Sequence, residues 1–420
     1  MPTKLSNKIV AAYVTAAIAL IVGSCAPMHG GHAIQPSLEE DRLTLGDSLL
    51  SDFYTYDDEL LEPGLVLKTE QLEERQSNPG AAQNIRILYS STEGLEGDTI
   101  LPVSGALFLP EGNAPVGGWP LMAWTHGTVG IADVCAPSWD GRQQQDREHL
   151  RFWLSNGFAV VASDYQGLGT RGTHPYLATR PEAYSNLDII RAVQAGDFPV
   201  SKEVVLFGQS QGAGAAVASA AYAREYAPDL PIVGVVATGV PFFSPEALIA
   251  LQESRPPDRP DPMLAYNLLA LSLVQRLDAS FRLEDFVSDQ AIPLVHATRE
   301  TCHKQVRAMV AEEKLSYNQA FKSAPSAHLI KAFAEMGYPT LELGVPLFVG
   351  SGGVDRDTPL RMQAALVRRA CAAGTPVSAV VYPELDHRGV VRGSTPDTLP
   401  FVKAAFAGET VQANCSALPY

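Results

Sequence analysis

Cysteine, clustered positive charge and long apolar segments are all scarce in this chain of 420 residues. It has five cysteines, and none stands in the C-x-x-C spacing typical of zinc sites. Basic residues number 31 against 46 acidic ones, a net charge of −15, and no run is rich in lysine or arginine. Because such a surface repels phosphate backbones, nucleic acid is not an expected partner. The sequence also predicts no metal ion and no other cofactor.

The one markedly apolar run of the N-terminal region spans residues 9–22, and Lys4 and Lys8 flank its start. A basic start, a short apolar stretch and small residues after it are typical of an export signal, and the run is too short to span a bilayer comfortably. The run ends in "VGSC", which resembles a bacterial lipobox, where Cys25 becomes the lipidated first residue of the mature protein. An ordinary signal peptide that happens to contain a cysteine is the alternative.

The lipobox resemblance predicts a signal peptide over 1–24 and a tether over 25–45. The protein would then be exported and held in a bacterial cell envelope by its N-terminal lipid, and freely secreted if the lipid is absent. Ala26 after the cysteine, rather than aspartate, favours the outer membrane or cell surface.

The four remaining cysteines are an even number, as expected of an exported chain with two disulfides. Spacing alone leaves three pairings open among them. They are Cys135, Cys302, Cys371 and Cys415.

Short apolar segments alternate with helix-length segments, a pattern typical of a mostly parallel sheet with helices on both faces. The sequence therefore predicts an α/β fold, with its core formed by 46–240 and 341–420. The predicted strands lie within 103–110, 120–127, 158–167, 204–208, 232–239, 346–353 and 377–384.

This alternation of strands and helices stops over 241–340. We interpret that segment as a helical insertion that forms a cap over the open end of the sheet. Its apolar segment 263–277 is expected to form the core of the cap. The alternative is a surface that contacts an acyl chain or a lipid interface.

Ser210 stands in "GQSQG", which matches G-x-S-x-G. The motif follows an apolar strand and opens a helix rich in small residues, which is the setting of a nucleophile elbow. The glycines two positions away leave room for a strained serine backbone. Ser210 is therefore the predicted nucleophile.

A serine nucleophile needs a base, and in α/β-hydrolases the chain order is serine, acid, histidine. Of nine histidines, His387 alone follows the last predicted strand, so it is the predicted general base. The acid should follow the preceding strand, where Asp355 has a glycine three residues before it and a proline four after. Asp357 is the alternative and a better helix cap, whereas Asp386 would point away.

An oxyanion hole needs two N–H donors. The amide after the nucleophile, that of Gln211, is one expected donor. The loop "THGT" at a strand end supplies the amide of Thr128 as the other, with His126 in a structural role.

These residues together resemble the secretory lipase family, the lipase-A-like branch of the α/β-hydrolases. The resemblance runs through "FYTY", "EPGLVL", "THGT", "CAPS", "GQSQGAG" and "DHRGVV", and "DYQGLG" with the nearby "HPYL" is its most family-specific part. It implies a helical cap after the sixth strand and disulfides joining Cys135 to Cys302 and Cys371 to Cys415. Gln209 departs from the family, which more often has an aromatic residue there.

The sequence thus predicts a lipid-anchored lipase or esterase that cleaves small-molecule or lipid esters through an acyl-enzyme. An acyltransferase or a serine peptidase would use the same triad on the same scaffold. A catalytically inactive envelope protein that binds an apolar ligand under the cap is a third hypothesis.

Overall fold

The computed structural model describes residues 42–323 and 326–420. The predicted signal peptide, the lipidated Cys25 and most of the predicted tether lie outside the described residues. Leu45 is already buried, and its N–H donates to Thr173 Oγ1 at 2.8 Å. Packing against the core is therefore in place by residue 45, which the sequence assigned to the tether.

Nine strands form one sheet within the described residues. Two of them, β1 and β2, were not predicted as strands: β1 has no buried residue and is mostly polar, and buried polar residues such as Arg86, Ser90 and Ser91 interrupt the apolar pattern of β2. The strands are β1 Val66–Gln71, β2 Ala81–Thr92, β3 Ile100–Pro110, β4 Trp119–Thr125, β5 Ala159–Ser163, β6 Val200–Gln209, β7 Ile232–Thr238, β8 Leu347–Gly352 and β9 Val377–Tyr382.

The strand order is β1-β2-β3-β5-β4-β6-β7-β8-β9. The pairs from β1 through β3 to β5 are antiparallel, and the pairs from β5 through β4 to β9 are parallel. Because the carboxyl ends of β4, β6, β7, β8 and β9 meet at one edge, the loops that follow them are brought together there.

Fourteen α-helices accompany the sheet in the described residues. They are α1 Pro137–Asp140, α2 Gln144–Ser155, α3 Thr179–Ala195, α4 Gln211–Tyr226, α5 Pro245–Ser254, α6 Leu264–Leu277, α7 Leu283–Phe286, α8 Ile292–Ala297, α9 His303–Glu312, α10 Tyr317–Ala320, α11 Ser326–Glu335, α12 Leu360–Ala372, α13 Gly389–Gly393 and α14 Thr395–Phe406. Single 3₁₀ turns lie at Asp52–Tyr54 and Asp133–Cys135.

Both faces of the sheet are covered, which is why the buried parts of the central strands are apolar at successive positions. In β6, Leu206 belongs to the core on the side of α3, α4 and α12. Its neighbours Val205 and Phe207 belong to the core on the side of α2 and α14. Successive side chains of a strand point to opposite faces, so a strand buried on both sides loses its alternation. The predicted α/β class is confirmed.

Helices α5 to α11 lie within the predicted insertion and have a hydrophobic core of their own. Leu268, Leu271 and Val274 of α6 are buried in it, together with residues of α8, α9 and α11. Where the insertion leaves and rejoins the sheet domain, Tyr338 Oη donates to the carbonyl of Pro241 at 3.1 Å. The two connections between the cap and the sheet domain are therefore hydrogen-bonded to each other.

Two disulfides link Cys135 to Cys302 and Cys371 to Cys415, with Cα–Cα distances of 5.4 and 5.6 Å. Both pairings implied by the family resemblance are therefore present. The first joins the loop region after β4 to the cap. Across the described residues, no helix has the length and apolar character needed to cross a bilayer.

Candidate active site

Ser210 lies at a sharp turn between β6 and α4. Its backbone has φ 58° and ψ −125°, a conformation that costs a non-glycine residue about 1–3 kcal/mol. The flanking glycines permit that turn. A Cβ on Gly208 would lie 2.0 Å from the carbonyl oxygen of Gly212, and a Cβ on Gly212 would lie 1.9 Å from that of Thr125. The elbow is thus packed directly against the end of β4.

His387 lies in the loop after β9, and its Nδ1 is 2.8 Å from Asp355 Oδ2. Asp355 follows β8 and is held by further donors: its Oδ1 accepts the amides of Asp357 and Thr358, both at 2.9 Å. Its Oδ2 also accepts from Thr358 Oγ1 at 3.0 Å and Gln363 Nε2 at 3.1 Å. The carboxylate is therefore fixed in position and oriented toward the imidazole.

The other ring nitrogen of His387, Nε2, is buried and has no hydrogen-bond partner among the described residues. With Nδ1–H donated to Asp355, Nε2 carries the lone pair. Both this ring and the serine contact the end of β7. The Ser210 amide donates to the carbonyl of Thr238 at 3.0 Å, and a Cβ on Gly239 would lie 2.9 Å from His387 Cε1. The fold therefore brings Ser210, His387 and Asp355 to one place.

The electrostatic surroundings favour the charged form of His387. Burial by itself would lower the pKa of its imidazole, but the hydrogen bond and charge of Asp355, with the charge of Asp357, raise that pKa above its ordinary value of 6.5. The cation of Arg388 opposes them. The net shift suits a base that must accept a proton during a reaction.

A cavity of about 650 Å³ lies between the sheet domain and the cap. On the sheet side, Thr128, Ser210 and Gln211 line it. On the cap side its walls are mainly apolar, including Leu264, Ala270, Leu271, Val274, Phe333 and Met336. An apolar chain attached to a group at Ser210 would find a matching surface here.

Comparisons with known proteins agree with this arrangement. The family model described as secretory lipase matches residues 141–252, a stretch that contains the elbow. Lipase A of Moesziomyces aphidis is 26% identical over 282 residues, which cover 62% of this chain and 57% of that protein. The matched part thus spans little more than half the length of that curated relative. The chain resembles the secretory lipases.

Solved structures show the same fold at lower identity. Candida antarctica lipase A in its closed state superposes with a TM-score of 0.69 at 23% identity, covering 88% of this chain and 89% of the other. The rice cell wall degrading esterase LipA from Xanthomonas oryzae has a TM-score of 0.64 at 19% identity, covering 83% and 99%. The fold of the chain is therefore that of the α/β-hydrolases.

The segment "DYQGLG…HPYL" of the secretory-lipase resemblance supports the loop that follows β4. Tyr165 Oη donates to the carbonyl of His126 at 2.9 Å, and Tyr176 Oη is 2.8 Å from Thr128 Oγ1. His126 is buried, and its Nδ1 lies 2.8 Å from the carbonyl of Gly127. Its side chain therefore stabilises the loop from the inside. Two tyrosines thus hold the loop that contains Thr128.

Behind the elbow lies a buried polar group that the sequence prediction missed. Gln211 Nε2 donates to Glu182 Oε1 at 2.7 Å and lies 3.2 Å from His174 Nε2. His174 Nδ1 is 2.8 Å from the carbonyl of Gln166. Burial, only partly offset by hydrogen bonds from Gln211 and Leu177, raises the pKa of Glu182 to about 8. Glu182 lies in the first turn of α3, where an acidic residue is common and gives no sequence signal of a further role.

Gln209, which departs from the family pattern, lies between two loops of the site. Its Nε2 donates to the carbonyl of His387 at 3.2 Å. Its Oε1 lies 2.6 Å from where a Cβ on Gly127 would be. The side chain therefore fills the space between the loop of the base and the loop of Thr128.

Of the two other aspartates, Asp386 points away from the imidazole as expected, whereas the expectation that Asp357 caps a helix is wrong, because α12 has Pro359 at its N-cap and no side-chain cap. Asp386 is exposed, and its Oδ1 accepts the amide of Gly389 at 2.7 Å. Asp357 is mostly buried and faces the site: ligand atoms of Asp355, Asp357 and His387 lie within 4.8 Å of one another. Such a set has the spacing of a cation site, but both oxygens of Asp355 are already engaged by protein donors.

Proposed function

We propose that the chain is a carboxylic-ester hydrolase in which Ser210 is the nucleophile, His387 the general base and Asp355 the orienting acid. The observation that carries the proposal is the strained Ser210 in the lining of a cavity, at the same end of β7 as a buried His387 that is bonded through Nδ1 to Asp355 and has no partner at Nε2 among the described residues. The resemblance to secretory lipases and the similarity to known lipases and esterases support it.

In the first half of the reaction, Ser210 Oγ attacks the ester carbonyl carbon while His387 Nε2 takes its proton. The carbonyl electron pair moves to oxygen, and the amides of Thr128 and Gln211 stabilise that negative charge. When the pair returns, the bond to the alcohol breaks, and the proton passes from His387 to the departing oxygen. Ser210 then carries the acyl group.

In the second half, His387 removes a proton from a water that attacks the acyl carbon. Collapse of this second tetrahedral intermediate releases the acid and returns the proton to Ser210 Oγ. Asp355 accepts the Nδ1–H bond throughout and stabilises the imidazolium in both halves. The dipole of α4, whose N-terminus lies at Ser210, favours the oxyanion as well.

The substrate is an ester with an apolar acyl chain. The cavity beside Ser210 has mainly apolar walls from the cap, and its volume of about 650 Å³ lies within the usual range of small-molecule pockets. Rates with p-nitrophenyl esters of increasing chain length would locate the preferred length. An added alcohol acceptor, followed by product analysis, separates hydrolysis from acyl transfer, and a peptide substrate tests peptidase activity.

The nucleophile is tested with a fluorophosphonate probe and p-nitrophenyl butyrate. Wild-type protein should be labelled once per chain and show a burst of p-nitrophenol, and Ser210→Ala should lose both labelling and more than about 10³-fold in kcat. Ser155→Ala is the matched control, because that serine is exposed on α2 and bonds only the carbonyl of Phe152. Activity retained in Ser210→Ala would overturn the assignment.

We propose further that the protein is exported and anchored by a lipid on Cys25. The support is the sequence "VGSC" after the apolar run 9–22. In a bacterial host, the wild-type protein should partition with membranes and release on detergent treatment. Cys25→Ser should appear in the soluble fraction, and a soluble wild-type protein would contradict the anchor.

A further inference from the structure

Asp357 is the residue of the acid loop that contacts the cap. It stands two positions after Asp355, and Tyr266 Oη of α6 donates to its Oδ1 at 2.7 Å. Arg307 Nη1 of α9 lies 3.9 Å from the same oxygen. Arg255, just after α5, donates through Nη2 to the carbonyl of Asp357 at 2.9 Å. Three separate parts of the cap therefore converge on this one residue.

The same carboxylate also faces the general base. Ligand atoms of Asp355, Asp357 and His387 lie within 4.8 Å of one another. Asp355 already holds Nδ1 of the ring, so Asp357 is a second negative charge beside the same imidazole. At this separation in a mostly buried setting, two charges interact strongly enough to change a titration.

The charged and titratable groups around the pair come from both sides. Next to His387 are Asp355 and the cation of Arg388. On the cap side are Arg255, Arg307, Tyr266 and His303, which stacks on Tyr266 with ring centroids 4.5 Å apart.

The shifts in this group agree with its geometry. Burial would raise the pKa of Asp357, but the His387 charge, the Tyr266 hydrogen bond and the two arginines lower it below its usual range. Burial and the cation of Arg307 lower the pKa of His303 to about 4, so this ring is neutral near pH 7. Asp357 is thus an anion near pH 7.

We propose that Asp357 is a positioning residue that couples the cap to the general base: its carboxylate anchors the cap through Tyr266 and Arg307 and stabilises the charged form of the His387 imidazole. The proposal rests on the proposed function for its catalytic meaning. Arg307 of the cap interacts with the same carboxylate that stabilises the protonated form of His387. The contact between the cap and Asp357 therefore changes the pKa of the His387 imidazole.

The test compares Asp357→Asn with Asp386→Asn, which removes the same charge from an exposed residue next to His387. In Asp357→Asn, the acid limb of the pH profile of kcat/KM should move to lower pH by about half a unit to one unit. Its plateau should fall about 3- to 10-fold, because the imidazolium of the transition state loses a stabilising charge. The Asp386→Asn profile should stay within about 0.2 units of wild type. Equal profiles for both variants would overturn the proposal.

A measurement that does not depend on enzyme activity separates this proposal from the proposed function. The His387 ring is titrated by NMR, its resonance identified by loss in His387→Gln. Asp357→Asn should lower the midpoint by the same half to one unit, and Arg307→Gln should raise it. Midpoints unchanged in both variants would refute the coupling even if the protein hydrolyses no ester. An active enzyme with unchanged midpoints refutes the coupling alone.

The role of Asp357 in holding the cap is measured separately, by limited proteolysis. Tyr266→Phe leaves the charge of Asp357 in place, so the acid limb should stay near wild type. Limited proteolysis within the cap should nevertheless be faster in Tyr266→Phe, and faster still in Asp357→Asn. Cap cleavage at the wild-type rate in Asp357→Asn would contradict the anchor.

Discussion

At the scale of single residues, the carboxylates near His387 set the pH range in which the site can work. A base must be neutral to accept a proton, and the pKa of His387 is raised above 6.5 by Asp355 and Asp357 against the effect of burial. We therefore expect kcat/KM to fall as pH drops through a midpoint above 6.5. The profile from pH 5 to 9 with a short-chain ester measures this, and a midpoint below 6 would contradict the assignment of His387 as base.

Gln209 contacts both the loop that contains His387 and the loop that contains Thr128. Gln209→Met keeps the approximate volume but removes the donor to the His387 carbonyl. We expect kcat for p-nitrophenyl butyrate to fall about 3- to 10-fold with KM nearly unchanged, because the loop of the base is less well held. Gln194→Met is the matched control, since that glutamine bonds the carbonyls of Ser201 and Lys202. Equal kinetics for the two variants would assign Gln209 to packing alone.

Among the elements, the loop after β4, which contains the proposed oxyanion donor Thr128, is joined to the cap by a disulfide and a hydrogen bond. Cys135 follows the loop after β4, and its disulfide partner Cys302 precedes α9 of the cap. The amide of His303, the first residue of α9, donates to the carbonyl of Val129 at 2.7 Å, one residue after Thr128. A change in the cap at α9 is therefore transmitted directly to the loop of the proposed oxyanion donor.

The two disulfides allow this link to be tested. Replacing either pair with serine should destabilise the fold, by about 5 kcal/mol for the 167-residue separation and about 4 kcal/mol for the 44-residue one in the chain-entropy model. Both double variants should therefore show similar losses in Tm. Only the double variant Cys135→Ser with Cys302→Ser should also lower kcat/KM, by about tenfold. Assays well below both unfolding transitions check this. Equal activity losses would show that the first disulfide has no specific effect.

At the scale of the whole molecule, buried acids make stability depend on pH. The folded pKa of Glu182 is about 8, against 4.5 for an exposed glutamate, so its favourable contribution is complete below pH 4.5 and is lost as pH rises toward 8. Glu182→Gln keeps the shape and removes the titration. We expect the variant to gain about 1–4 kcal/mol relative to wild type between pH 5 and pH 8.

Denaturant unfolding of both proteins at the two pH values measures the gain of Glu182→Gln. Glu225→Gln supplies the control, because that residue lies exposed on α4. A difference between wild type and Glu182→Gln that does not change with pH would mean that Glu182 is already ionised in the folded protein.

Much of the fold and the core of the site could be predicted because their signals are local. An apolar strand, "GQSQG" and a small-residue helix describe the elbow within twenty positions, and the close glycine contacts explain the spacing. His387 was identifiable because chain order leaves one histidine after the last strand. The pairing β1–β2 was not, because its buried Arg86 bonds groups far away in the chain, such as the Ser138 carbonyl.

The α/β class, the place of the insertion and the candidate triad could be read from the chain alone, because strand period, helix length and motif spacing act over a few residues. The surroundings of the candidate triad depend on contacts between distant parts of the chain. Tyr266 meets Asp357 across 91 positions of chain, and Gln209 meets His387 across 178. Such contacts depend on how the cap and the strand-end loops pack, and no local pattern encodes them.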